Sequence, residues 1–260
     1  MGKRIIDQKP IKSAVFFIKL VKYGIEAENK TFPAKPDDVR WEDIFLLAKR
    51  HSLTPVVYQY VKKVKNEIGG ELFSKWERDI SFCILIDMEQ QYAWDEIKSC
   101  FSQKEVPLLP MKGFLLKNLY LETYMRMMGD LDILYRADCK EMINEGLKEL
   151  GYSYAHSEST VDSFFRPTNT NIEAHYSLVP EHSPFFEYYS GIWQKAIPTE
   201  TPYIFALSKE DEYIFLLIHA YKHFYGNGTG VRTIADLYLF NKKYGDVLDR
   251  SYINRELEKA

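Results

Sequence analysis

The stretch from Pro107 to Tyr135 constrains the fold most, because it joins two short apolar runs through a Lys-Gly turn and a helix-like segment. The second apolar run opens at Gly129 and carries Asp130 and Asp132. Side chains at positions i and i+2 of a strand point to the same face, so both carboxylates are predicted to project from one side of a sheet. Two negative charges held this close favour a cation between them, and carboxylate oxygens suit Mg²⁺.

Lys112 and Gly113 stand between the first apolar run and the helix-like segment. Free backbone N–H groups and the positive end of the helix dipole attract anions at the start of a helix. Glycine lets a phosphate approach the backbone, and a lysine beside it adds charge-assisted hydrogen bonds. The turn is therefore predicted to hold the phosphates of a ligand whose metal is bound by the two carboxylates.

Charge and cysteine content narrow the class of protein. The 260 residues carry a formal net charge of −3 with a pI near 6.1, which gives no basic surface for a long nucleic-acid partner. The three cysteines lack any CxxC spacing, which favours free thiols in a reducing cytoplasm. No signal peptide and no apolar run of about 18 residues is present, so a cytoplasmic protein without a membrane partner is expected.

The apolar periodicity changes along the chain. Positions spaced by three and four predict helices over residues 12–25 and 41–64. One or two long helices are expected over residues 71–103. Their apolar face is expected to include Phe82, Ile86, Met88 and Tyr92.

From residue 104 short strand patterns alternate with helices, which indicates an α+β protein with a mixed sheet. We expect an N-terminal helical region over residues 1–103. A mixed-sheet core is expected over residues 104–200, and a C-terminal helical region over residues 201–260.

A third carboxylate is predicted on a late strand of this sheet. In the segment Asn171–His175, Ile172 and Ala174 alternate with Glu173 and His175, so Glu173 and His175 should share the face opposite the core. Glu173 is the candidate acid. His175 either contacts the substrate or pairs with a carboxylate.

Four segments, MKGFLLKNLY, RMMGDLDILY, IEAH and LLIHAYKH, resemble the bacterial family of uncharacterised nucleotidyltransferases within the DNA polymerase β superfamily. The resemblance runs from about residue 41 to about residue 243. It implies a nucleotidyltransferase fold with two Mg²⁺ ions, or Mn²⁺ in their place, and an NTP as substrate. Asp130, Asp132 and Glu173 would be both the catalytic residues and the metal ligands. Lys112-Gly113 departs from the Gly-Ser or Gly-Gly of the superfamily pattern, so the phosphate contacts are expected to differ.

The resemblance also implies which residues contact the triphosphate. They are Lys112, Gly113, Arg126, Lys222 and His223. A zinc-protease site is excluded at HAYKH, because an alanine replaces the glutamate base of HExxH. Arg232 and Asp236, four residues apart on a predicted helix, are expected to form a structural ion pair.

Two other functions fit parts of the pattern. Sugar-nucleotide glycosyltransferases also use an Asp-x-Asp metal site, and a protein of this fold can act as a catalytically silent binding or regulatory module. The acceptor of a nucleotidyl group stays open between an aminoglycoside-like antibiotic, a sugar or peptide, and a hydroxyl side chain of another protein. Base preference and oligomeric state are also open.

Overall fold

The structure is a computed structural model that describes residues 9–26, 32–168, 170–225 and 230–260. Its N-terminal part is helical, as the periodicity predicts. The predicted helix over residues 41–64 is two helices, because Ser52 between them adopts a left-handed backbone with φ of 54°. The helices are α1 (Lys9–Ile25), α2 (Trp41–Arg50), α3 (Thr54–Val61) and α4 (Gly70–Gln103).

Helix α4 is one continuous helix of 34 residues, and its buried face differs from the predicted one. Phe82, Met88 and Tyr92 are 47%, 64% and 64% exposed. The buried face instead contains two polar residues, Asp87 and Gln90. These polar residues interrupt the apolar periodicity on the buried side, and the apolar residues on the solvent side then dominate the pattern.

A mixed five-stranded sheet follows α4, which confirms the predicted α+β class. The strand order is β1-β2-β5-β4-β3, with β2 and β5 parallel and the other pairs antiparallel. The proline-bounded strand β1 lies at an edge, where a missing N–H donor is tolerated. The strands are β1 (Leu108–Pro110), β2 (Asp130–Tyr135), β3 (Ser153–Glu158), β4 (Val161–Phe165) and β5 (Asn171–His175).

The helices after β1 differ in length. Gly113–Leu116 forms α5, a single helical turn that continues as a 3₁₀ segment over Lys117–Leu119. Lys140–Glu149 forms α6, and Gly151 follows it with a φ of 82°, the left-handed conformation that ends helices. Helix α6 and the C-terminal end of α4 cover one face of the sheet around a core that contains Phe101 and Ile133.

The C-terminal part of the chain packs on the end of the sheet formed by β1 and β2, through an apolar cluster separate from the core around Phe101. The elements are α7 (Phe186–Ser190), α8 (Ile192–Lys195), β6 (Ile197–Pro198), β7 (Phe205–Ala206), α9 (Lys209–Tyr225), α10 (Val231–Tyr244) and α11 (Arg250–Lys259). The hydroxyl of Ser208 accepts a hydrogen bond of 3.1 Å from the Asp211 N–H and so caps α9. Among the described helices, none is long and apolar enough to span a membrane. The division at residues 103 and 200 stays a prediction.

Candidate active site

The parallel pairing of β2 with β5 brings the acidic side chains together. Asp132 is the direct neighbour of Glu173 in the strand register, and Asp130 is the neighbour of Asn171. The alternate residues of both strands, such as Ile133 and Ala174, are fully buried in the core. Asp130, Asp132 and Glu173 therefore project from the opposite face, because side chains alternate along each strand.

Two basic side chains hold Asp132. Lys112 Nζ lies 3.1 Å from Asp132 Oδ1, and His175 Nε2 lies 3.0 Å from the same oxygen. Burial alone raises the pKa of Asp132, but the hydrogen bond from His175 and the charge of Lys112 outweigh burial and bring that pKa to about 2. Of the two roles expected for His175, the structure shows the pairing with a carboxylate.

The acidic cluster also reaches Glu173 and Asp130. His175 Nε2 lies 3.6 Å from Glu173 Oε2, and ligand atoms of Asp132, Glu173 and His175 all lie within 4.8 Å of one another. Burial, followed by repulsion from Glu173, raises the pKa of Asp130. For Asp130, the raised pKa means that nearby positive charge does not offset burial and repulsion. Closely spaced carboxylates of this kind fit a divalent cation, which accepts oxygen ligands.

Gly113 has a packing role in the site. A Cβ atom at this position would lie 2.6 Å from Arg126 Nη1 and closer still to the sulfur of Met128. Lys112, the residue before it, has a φ of 41°, which is uncommon for a residue with a side chain. The turn thus carries Lys112 towards Asp132 while Gly113 leaves room for Arg126.

Replacing Gly113 by alanine is expected to lower the free energy of unfolding by about 1–3 kcal/mol, because the added methyl group overpacks two buried side chains. Gly129→Ala is the matched control, since no described atom lies within 4 Å of a Cβ built there. Thermal unfolding of the two variants measures the difference. Equal melting temperatures for Gly113→Ala and the unsubstituted protein would contradict the packing role.

Arg126 is buried and forms a two-pronged ion pair with Asp236. Its Nε and Nη2 atoms lie 2.9 Å from the two carboxylate oxygens, and the Tyr120 hydroxyl donates to the same carboxylate at 2.8 Å. The predicted ion pair between Arg232 and Asp236 is therefore wrong, because Asp236 pairs with Arg126. Arg232 instead donates to the Met127 carbonyl at 2.8 Å. The i,i+4 spacing favoured a local pair, and no sequence pattern joins Asp236 to a residue 110 positions earlier.

The acids and the arginines line one cleft of about 920 Å³. Arg126 and Arg232 both line this cleft, and burial, followed by the neighbouring charge of Arg126, lowers the pKa of Arg232. One carboxylate, Asp236, faces both of them, so this wall carries surplus positive charge. Residues that define the cleft are Lys112, Arg126, Asp130, Asp132, Glu173 and Arg232.

One of the predicted phosphate ligands, Lys222, lies away from this wall. Lys222 lines a second compartment on the other side of Glu173. His223 follows on the same helix, and its side chain falls outside the described part of the chain. Residues 226–229 also fall outside it, and they belong to the glycine-rich sequence GNGTG (residues 226–230), for which the sequence favours a turn. Arg232 also lines the cleft, although the sequence analysis assigned it to a structural ion pair.

A family model described as uncharacterised nucleotidyltransferase matches residues 37–260. The chain belongs to this family. Membership confirms the resemblance carried by the MKG and GDLD segments. In this family member an acidic face and a basic wall line the same cleft.

Three solved structures are similar to this chain. The solution structure of the antibiotic-resistance factor ANT(2″)-Ia has 11% identity and a TM-score of 0.47, over 66% of this chain and 95% of that one. The crystal structure of ANT(2″)-Ia with adenylyl-2″-tobramycin has 10% identity and a TM-score of 0.46, over 65% and 94%. The Megavirus polyadenylate synthase has 17% identity and a TM-score of 0.43, over 84% and 40%. A search of curated proteins gave no match.

Proposed function

We propose that the protein transfers a nucleoside monophosphate from an NTP to the hydroxyl group of a small molecule or protein, with release of pyrophosphate and with a divalent metal bound. The observation that carries this proposal is that the acidic face of β2 and β5 and the two arginines line the same cleft. Family membership favours nucleotidyl transfer over the sugar transfer that an Asp-x-Asp pair also allows.

Asp130, Asp132 and Glu173 would hold the metal, and two Mg²⁺ ions are the proposed complement. Bound there, such ions neutralise developing charge and make the attacking oxygen a better nucleophile. His175 keeps Asp132 oriented through its 3.0 Å contact. Glu173, whose side chain is 36% exposed, would accept the proton of the acceptor hydroxyl.

The basic wall would bind the triphosphate. Two guanidinium nitrogens of Arg126 are engaged by Asp236, which fixes the group in place and leaves Nη1 beside Gly113 at the cleft. Arg232 and Lys112 line the same cleft. A planar guanidinium held rigidly is suited to phosphate oxygens, because its N–H groups match two of them at once. The attacking hydroxyl oxygen bonds to the α-phosphorus, and the bond from that phosphorus to the leaving pyrophosphate breaks.

Binding of a non-hydrolysable NTP analogue is expected to weaken about tenfold or more when Mg²⁺ is removed with EDTA, because the acidic face then repels the triphosphate. Isothermal titration calorimetry with and without EDTA measures the change, and ATP, GTP, CTP and UTP with Mg²⁺ are then tested for pyrophosphate release. Equal affinity with and without EDTA would contradict a metal-dependent site. Failure of every NTP to release pyrophosphate would contradict the transfer.

A further inference from the structure

A second compartment continues from Glu173 on the side away from Arg126 and Arg232. It is a trough of about 1100 Å³ between the open face of strands β3, β4 and β5 and the helix α9. The trough and the cleft share three lining residues, Lys112, Glu173 and His219. The acidic face therefore stands at the junction of the cleft and the trough.

The strand register makes the floor of the trough polar. Asp132, Glu173, Ser163 and His156 are consecutive cross-strand neighbours over β2, β5, β4 and β3, so they form one row on one face of the sheet. In the next row, Glu158 pairs across β3–β4 and points to the same face. In the described part of the chain, no side chain or backbone group hydrogen-bonds to the side chains of Ser163, His156 or Glu158. Their donors and acceptors face the trough.

The opposite wall is apolar and aromatic. Phe215 and Ile218 contribute from α9, and Phe185 and Tyr189 contribute from the aromatic segment that follows β5. The Tyr189 and Phe215 rings meet edge to face with centroids 6.0 Å apart. Tyr189 is 3% exposed, so this segment is a packed wall of the trough.

The charges of the trough balance. Two lysines, Lys112 and Lys222, and two glutamates, Glu158 and Glu173, line it. A polyanionic acceptor such as an RNA end needs surplus positive charge, which the described lining does not supply. A polar floor facing an aromatic wall suits a molecule with hydroxyl groups on one side and C–H groups on the other.

We propose that this trough is the acceptor site and that the acceptor is a compact polyhydroxylated ring, either a sugar or a cyclitol. The aromatic wall packs on its C–H face, Ser163, His156 and Glu158 bind its hydroxyl groups, and one further hydroxyl is presented beside Glu173. That hydroxyl forms the new oxygen–phosphorus bond and gives its proton to Glu173, while pyrophosphate leaves towards Arg126 and Arg232. This proposal rests on the proposed nucleotidyl transfer and adds the class of acceptor.

The test uses the full chain with Mg²⁺ and each NTP, in the presence of D-glucose, D-glucosamine, myo-inositol or sucrose. Separate arms contain a serine- and tyrosine-bearing peptide or an oligoribonucleotide. We expect a polyol to raise pyrophosphate release about tenfold over slow NTP hydrolysis, because a bound acceptor replaces water at the reacting phosphorus. Mass spectrometry is expected to show a polyol carrying one nucleoside monophosphate.

Two matched variants locate the acceptor. Ser163→Trp places an indole on the trough floor next to Glu173, whereas Ser157→Trp places the same ring on the other face of β3, in register with Asp162. We expect Ser163→Trp to lose the stimulation by the polyol while NTP binding by calorimetry changes less than about twofold. Ser157→Trp is expected to keep both. Circular dichroism checks that both variants are folded.

The outcomes separate the two proposals. Metal-dependent NTP hydrolysis without a nucleotidylated polyol, or transfer to the peptide or the oligoribonucleotide instead, overturns the acceptor class and leaves nucleotidyl transfer standing. Full stimulation in folded Ser163→Trp overturns the location. If no NTP releases pyrophosphate in any arm, whether or not it binds, the transfer itself is overturned, and the acceptor proposal with it.

Discussion

Asp130→Asn is expected to lower nucleotidyl transfer about 10³-fold, since charge stabilisation by a bound metal is worth several kcal/mol and each 1.36 kcal/mol is about tenfold in rate. The amide keeps the size of the side chain but removes a negative charge from the acidic face. The fold is expected to be at least as stable as before. Burial and repulsion from Glu173 raise the pKa of Asp130, and a carboxyl whose pKa is higher in the folded chain disfavours folding above both pKa values.

Pyrophosphate release and thermal unfolding at neutral pH measure these two effects. Asp138→Asn is the matched control, because this carboxylate follows the same strand and its side chain is 68% exposed. The control is expected to keep both activity and melting temperature. Turnover by Asp130→Asn within about tenfold of the unsubstituted protein would place the metal elsewhere.

Asp236→Ala is expected to destabilise the protein by about 3–5 kcal/mol, because it leaves the buried guanidinium of Arg126 without its counter-ion. The Tyr120 hydroxyl loses its acceptor in the same change. For a chain of this size the melting temperature would fall by roughly 10 °C. Phosphate binding should weaken as well, since Arg126 is no longer fixed at the cleft.

Glu149→Ala provides the comparison, since its pair with Lys104 is at the surface and its side chain is 60% exposed. Exposed pairs contribute about 0–1 kcal/mol, so this variant should unfold near the normal temperature. Differential scanning calorimetry of both variants gives the two values. A similar small change in both would mean that water or another group replaces Asp236 at Arg126.

The sequence predicted the acidic face because its signals are local. Asp130 and Asp132 alternate with fully buried residues on one strand, and Glu173 does so on another, so a period of two was enough. The resemblance to nucleotidyltransferases then predicted that these strands meet. Which strands are neighbours, and in what register, did not follow from periodicity alone.

Contacts between distant segments escaped prediction. The pair of Arg126 with Asp236 joins a loop before β2 to α10, and the local pattern favoured Arg232 in its place. The trough floor escaped for a similar reason, since Ser163 and His156 acquire their position from strand pairing. The buried face of α4 was predicted wrongly because it contains Asp87 and Gln90, two polar residues whose partners are also buried.

The length of α4 has a mechanical consequence. At about 1.5 Å per residue the 34 residues of α4 span roughly 50 Å, and the helix packs through Trp76 among the N-terminal helices and through Phe101 in the core beneath the sheet. Midway, Gln90 donates to the Met128 carbonyl just before the acidic strand. The helix is therefore held by packing contacts at both ends and by a hydrogen bond near its middle. Because α4 is one continuous helix, it connects the N-terminal helices to the segment just before the acidic strand without an intervening loop.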